Sequence, residues 1–202
     1  MKTRKLFING TWRTARETIP DVNPFTGRTI ARVCVADDSL MDTAIEAAEK
    51  ASASTRKLSA HERREILKGI AAGIGKRKEE IARTITAESG KPISFARAET
   101  DRSVLTFTLA AEEAGRLGGE VIPLDIKGAT KGYIGIVRQV PLGAIAAISP
   151  FNFPINLVAH KVAPAIAAGN TVVLKPPSQT PMTALLLGEI AEKASVRAPN
   201  AI

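Results

Sequence analysis

Cysteine is nearly absent from this sequence, with Cys34 alone among 202 residues. No internal disulfide can form, and a single thiol suits a reducing compartment, so a cytoplasmic location is expected. Histidine is as scarce. His61 and His160 stand far apart, which argues against a Cys/His metal site, and no metal is expected. No apolar run approaches the roughly 20 residues of a membrane span, and no secretory signal opens the chain, so no membrane partner is expected. Aromatics make up 4% of residues, and Trp12 and Tyr133 form no stacking row for single-stranded nucleic acid.

Charge is plentiful, with a formal net value of +8. Arg56 to Lys78 carries eight basic residues, but Glu62, Glu65, Glu79 and Glu80 are interleaved on the same helical pattern. That mixture describes a solvated helix face, and no nucleic-acid partner is expected. At 45% hydrophobic content the chain can bury a sizeable core.

The opening reads as β structure. "KLFINGTW" places Asn9-Gly10 between apolar flanks, a hairpin signal. "NPFTGRTIARVCVA" follows, with a turn at Thr26-Gly27 and alternation through Ile30, Val33 and Val35. Cys34 lies within that alternation, so it reads as a half-buried strand thiol rather than a nucleophile.

Helices come next. Asp37 or Asp38 caps a helix whose apolar face runs through Leu40, Ala44, Ile45 and Ala48. Ser59 and Glu62 form a capping-box pattern before one long helix, with a stripe at Ile66, Ile70, Ile74, Ile81 and Ile85. Gly90 stops it, and Pro92 opens a third helix whose apolar residues are Phe95, Val104, Leu105, Phe107 and Leu109. The β-branched stretch from Glu120 to Val140, broken by Gly128 and Gly132, predicts a protruding hairpin.

The pattern then switches. "GAIAAIS" reads as a buried parallel strand, Ile155 to Ala168 as a helix with Pro154 at its first position, "TVVLK" as a second buried strand, and Met182 to Ala194 as a second helix. This is the repeating unit of a doubly wound sheet, in which ligands bind at the carboxyl ends of the strands. Two loops sit at those ends, "SPFNFP" and "KPPSQTP".

The first loop holds no G-x-G-x-x-G fingerprint, so a cradle of glycine amides is not expected there. Two prolines and two aromatics instead stiffen the backbone around Asn152. A held amide N–H can stabilise an oxyanion, worth about 3–4 kcal/mol for one donor; equally, Asn152 can cap the following helix. Lys175 ends its strand at the ligand edge, where it can reach a ribose hydroxyl or a phosphate, or simply snorkel. Ser178 in the next turn tolerates a 2′-phosphate that an acidic residue would repel.

The segment from "PLGAIAAISPFNFPINLVAHKVAPAIAAGN" through "TVVLKPPSQTPMTAL" resembles the nucleotide-binding region of the NAD(P)-dependent aldehyde dehydrogenase superfamily. "FINGTW", "NPFTG" and "AESGKPISFARAETDR" are similar to the same family, so the likeness runs to about Ala194. Within it, the chain is most similar to enzymes of small hydroxylated or phosphorylated aldehydes, such as lactaldehyde or non-phosphorylating glyceraldehyde-3-phosphate dehydrogenases.

The resemblance implies an α/β fold: an incomplete Rossmann-like doubly wound parallel sheet with N-terminal β-hairpins and helices, and a protruding oligomerisation hairpin. It implies that Asn152 donates to the thiohemiacetal oxyanion, and that Ile148, Ser149, Pro150, Phe151 and Asn152 line the cofactor cleft. Lys175, Pro176 and Ser178 complete it, for NAD or NADP with a lean toward NADP. Lys161 matches a lysine near the catalytic centre. Arg102 lies in a helix bordering the substrate entrance, where it either pairs with an anionic aldehyde or forms a surface salt bridge with Glu99 or a neighbour. The implied partners are a small aldehyde and further copies of the chain in a homo-oligomer.

The family's thiolate and glutamate base are not among these residues, since Cys34, Glu189 and Glu192 do not match them. The 202 residues alone are therefore expected to be inactive: an N-terminal part of the enzyme or, alternatively, a truncated remnant that binds nucleotide weakly or acts as an interaction module in mixed oligomers. The expected divisions are residues 1–119 as the N-terminal part of the cofactor domain and 120–140 as the oligomerisation arm. Residues 141–194 form the βαβα nucleotide unit, and 195–202 a tail that departs from the pattern.

Overall fold

The structure is a computed structural model and describes residues 3–195. The expected divergent tail lies, Ser195 apart, outside the described residues. Nine strands and six helices follow one another among the described residues. At the start, β1 (Thr3–Arg4), β2 (Leu6–Ile8) and β3 (Thr11–Arg13) precede the longer β4 (Glu17–Val22) and β5 (Thr29–Val35). β2 and β3 form the hairpin marked by Asn9-Gly10, and both turn residues take positive φ, 51° and 67°, as a two-residue I′ turn requires. β5 is the centre of a small mixed sheet, parallel to β1 and antiparallel to β4. Its buried residues are Ala31, Val33 and Cys34: Val33 follows the expected alternation, whereas Ile30 is exposed.

Helix α1 (Asp38–Thr55) starts at Asp37, whose side chain accepts from the Leu40 N–H. The single long helix expected next is two, α2 (Ala60–Lys76) and α3 (Lys78–Ser89), broken at Arg77 with φ −104° and ψ 18°. The stripe continues through the break at near-helical spacing, and Ile66, Ile70, Ile74, Ile81 and Ile85 are all buried. That continuity hid the break from periodicity. The capping box of Ser59 and Glu62 opens α2, and Gly90 closes α3 with φ 71°. Gly73 has a packing reason: a Cβ there would meet Ile190 Cγ2 at 2.5 Å.

Helix α4 (Ile93–Glu113) differs from expectation in which face it buries. Phe107 is enclosed, but Phe95, Leu105 and Leu109 are exposed, and the inward stripe is Ala96, Glu99, Thr100, Ser103 and Ala111. β6 (Gly119–Pro123) and β7 (Ile134–Arg138) then pair antiparallel as a hairpin bearing a 3-10 turn at Gly128–Thr130.

The last quarter is β8 (Ala144–Ile148), α5 (Asn156–Ala167), β9 (Thr171–Lys175) and α6 (Pro181–Ser195). β8 and β9 are parallel, Ile148 opposite Lys175. Both were read as buried, yet in β8 only Ala147 is, and β9 is mostly half-covered. Their apolar composition needs cover on both faces and edges, and two strands with α1 and α5 supply only part of it. Pro154 precedes α5 rather than opening it, since the helix starts at Asn156. The core is helical: Leu67, Ile70, Ile74, Ile81, Ile85, Phe107, Ile155 and Val158 from four helices and their caps meet behind the strand pair. Among the described residues no helix is long and apolar enough to cross a membrane.

Candidate functional site

The carboxyl ends of β8 and β9 lie side by side and bring most of the singled-out residues together. Ser149 N donates to the Lys175 carbonyl at 3.2 Å, extending the ladder into the first loop. The Lys175 ammonium is exposed and its Nζ lies 3.4 Å from Ser178 Oγ. Ile148 is 70% exposed and lines, with Met41, Ile45, Val173 and Lys175, an open apolar cleft of about 370 Å³ along β8. Pro176 faces a second cavity of about 270 Å³, shared with Leu6, Leu40 and Leu185.

In the loop itself, Pro150, Phe151 and Asn152 are exposed and Ser149 is buried. Asn152 does not cap α5. That helix has no side-chain cap from its own N-terminal flank, and the Asn152 amide makes no hydrogen bond among the described residues. Exposed and unpartnered, that amide is open to a ligand. Only its backbone carbonyl is engaged, accepting from Lys91 Nζ at 2.9 Å.

The capping is done by Glu99, which polarity alone placed on the surface. Glu99 is fully buried, and its Oε1 accepts from Ile155 N at 3.0 Å and Asn156 N at 3.3 Å. Its Oε2 is paired with Lys91. Arg102 consequently makes no ion pair with Glu99. Its guanidinium carbon lies 5.0 Å from the centroid of the Phe153 ring, a cation–π contact that leaves its donors in solvent. Lys161 is not joined to the loop; its Nζ reaches the Leu157 carbonyl, at 3.4 Å.

A second buried glutamate serves the second loop. Glu88 at the end of α3 accepts from Met182 N at 2.9 Å and Thr183 N at 3.1 Å, and from the Thr183 hydroxyl. Burial pushes its carboxyl up to about 8, the nearby Asp21 charge adds to this, and the Thr183 and Met182 donors oppose it. Asp21 is buried with both oxygens unpartnered among the described residues, and burial raises it to about 6. The signal for both glutamates was spacing: Glu88 follows Ile81 and Ile85, and Glu99 lies between Ala96 and Ser103 on the inward stripe.

Glu189 and Glu192, which did not match the family's base, have structural partners here: Arg4 and Arg77 hold the first, and Trp12 Nε1 donates to the second at 3.0 Å. Cys34 is buried in β5, with Ala15 N 3.4 Å from its sulfur. It is a packed thiol.

Residues 12–200 match the sequence profile of the Aldehyde dehydrogenase family. The 3-sulfolactaldehyde dehydrogenase of Priestia aryabhattai is 39% identical over 196 residues, which are 97% of this chain and 41% of that protein. The lactaldehyde dehydrogenase of Methanococcus vannielii is 39% identical over 187 residues, 93% of this chain and 39% of that protein. The crystal structure of aldehyde dehydrogenase 21 from Physcomitrella patens, in complex with the reaction product succinate, superposes with a TM-score of 0.94 at 45% identity. The match covers 99% of this chain and 42% of that one. The chain thus spans about two fifths of the length of the relatives it matches.

Proposed function

Because this chain belongs to the aldehyde dehydrogenase family, we propose that it supplies the oxyanion donor and part of the nucleotide site of an enzyme that oxidises a small hydroxylated or phosphorylated aldehyde to its acid. The observation that carries this reading is Asn152: an exposed amide without a partner, on a loop whose backbone is fastened to β9 at one end and to Lys91 at its centre. Holding the backbone in that way limits the positions from which the amide can meet charge developing on the aldehyde oxygen, which favours it in the transition state. The attacking thiolate and the base that activates water would come from outside these residues.

The residues present fit a nicotinamide dinucleotide. Lys175 and Ser178 offer an ammonium and a hydroxyl with no carboxylate between them, which suits a 2′-phosphate. Ile148 and Val173 offer an apolar wall to a flat ring. NAD or NADP, when bound, supplies the hydride acceptor. Lys175 would hold its adenosine end, and Asn152 would orient the aldehyde oxygen at the other. A titration of the 202-residue chain followed by fluorescence should show NADPH bound more tightly than NADH, with Lys175→Ala removing most of the difference. Equal binding of both by the unaltered chain would overturn the lean toward NADP. No binding of either would overturn the nucleotide site.

Arg102 serves the same reading at the substrate entrance. In the enzyme joined to its cysteine-bearing remainder, Arg102→Ala should raise KM for phosphorylated or carboxylated aldehydes far more than for neutral ones, and equal effects would remove Arg102 from the site. Asn152→Ala there should lower kcat by about 100- to 1000-fold, and an unchanged kcat would remove Asn152.

The hairpin arm supports a second element of the reading, assembly into a homo-oligomer. Val121, Ile126 and Ile136 are 73%, 83% and 74% exposed, an apolar row that a solitary hairpin cannot bury. Deleting residues 120–140 should lower the sedimenting mass, and an unchanged mass would exclude the arm from assembly. The single buried thiol is consistent with a cytoplasmic site of action.

A further inference from the structure

The loop carrying Asn152 is held from behind by two charged side chains, Lys91 and Glu99. Glu99 is set into the helical core by α4, whose neighbouring residues Ala96, Thr100 and Ser103 are also fully buried. One of its oxygens fastens the first N–H groups of α5. The other holds Lys91, which lies just past the left-handed Gly90 and is 16% exposed along its side chain. Lys91 then spends a second donor on the Asn152 carbonyl at 2.9 Å and stands 4.2 Å from the centroid of the next ring, Phe153.

The geometry has a direct mechanical meaning. Burying a lone carboxylate is expensive, so separating Glu99 from Lys91 would leave an uncompensated charge in the core. The start of α5 and the backbone at Asn152 both end on this one pair. They therefore cannot shift relative to each other without breaking it. The Phe153 ring meets both Lys91 and Arg102, contacts that resist its movement next to Asn152. A donor displaced by ~1 Å loses about a hundredfold in rate, so a strut of this kind has a use that core packing does not explain.

We propose that Glu99 and Lys91 are positioning residues for Asn152: a buried ion pair that fixes the backbone from which the oxyanion donor projects. The proposal rests on the reading of Asn152 as that donor, but its test does not require the reaction. In the 202-residue chain, 15N relaxation should give the Asn152 and Phe153 backbone amides order parameters of about 0.85, the rigid range, against less than about 0.6 for a flexible segment. Lys91→Met should move Asn152 toward the flexible range while the amides of the exposed Phe25–Gly27 turn stay unchanged, and Lys91→Arg should restore it. Lys91→Met alone leaves Glu99 unpaired in the core and can unfold the chain. The double variant Lys91→Met with Glu99→Gln keeps an acceptor for α5 without a buried charge, and it should fold yet show the loosened Asn152.

Two results would overturn the strut: an Asn152 amide in the unaltered chain with an order parameter below about 0.6, or a folded double variant with Asn152 as rigid as before. Neither depends on whether Asn152 touches substrate. A strut that holds while Asn152→Ala leaves kcat intact would instead sink the donor reading alone.

Discussion

The loops after β8 and β9 lead into helices of similar length, and each helix has its first N–H groups held by a buried glutamate from a neighbouring helix. Glu99 does this for α5 and Glu88 for α6. Their surroundings differ in sign. Glu99 is matched by Lys91, whereas Glu88 is met by Asp21, a second buried carboxylate with no donor among the described residues. Glu99 has an opposite charge to receive it, whereas burial and the Asp21 charge oppose ionisation of Glu88 even though its Thr183 and Met182 donors favour it. The first loop carries the candidate oxyanion donor and the second carries Lys175 and Ser178, so the ends of one site are secured by electrostatics of opposite character.

The largest expected effect breaks the paired side. Glu99→Ala removes the cap of α5 and strands Lys91, and should cost about 3–5 kcal/mol of stability, as loss of one partner of a buried pair does. Chemical denaturation of the chain and the variant would measure it. A loss below about 1 kcal/mol would mean that the pair is solvated in solution and fastens nothing.

The next effect belongs to the unpaired side and appears as pH dependence. Glu88 is raised from an ordinary 4.5 to about 8, and Asp21 from 3.8 to about 6. Below the ordinary range both folded and unfolded chains hold these protons, and the stability is fully present. Between roughly pH 4.5 and 8 the unfolded chain has released them while the folded chain retains them, so each step upward favours unfolding. Stability should therefore fall by an amount on the order of 2–4 kcal/mol from pH 5 to pH 8. Glu88→Gln should flatten most of that slope, because it keeps an acceptor for α6 and removes the titration. A slope unaltered in the variant would assign the dependence to other groups.

What could be read from the chain divides along the same line. Local chemistry was legible. Asn9-Gly10 specified a turn, Ser59 with Glu62 a helix start, and Gly90 a helix end, because each depends on a backbone angle or a cap that neighbours in sequence supply. The βαβα unit was legible from apolar runs between turn signals. Which face is buried was not. In α4, Phe95, Leu105 and Leu109 looked like core and are exposed, while Glu99 looked like surface and is enclosed. Hydrophobicity ranks residues by transfer from water, and a carboxylate with two helix N–H groups and a lysine to receive it escapes that ranking. The partners of Glu99 are 8 residues away in one direction and 56 and 57 in the other, beyond any helical window. The candidate donor Asn152 was singled out by its stiff neighbours, but the strut behind it is a long-range fact.

The smallest expected effect is the sharpest on the role of Asn152. Had this residue capped α5, replacing it with alanine would cost about 1 kcal/mol. With Glu99 holding the first N–H groups and the Asn152 amide in solvent, Asn152→Ala should change stability by less than about 0.5 kcal/mol, as exposed positions do. The Lys91 contact is to the Asn152 backbone carbonyl, which alanine keeps. Thermal unfolding of the two chains, side by side at one pH, separates these outcomes. A neutral substitution means that the amide contributes nothing to the folded chain by itself, the condition of a group kept for a ligand. A loss of about 1 kcal/mol would return Asn152 to the helix and leave Glu99 as a redundant cap.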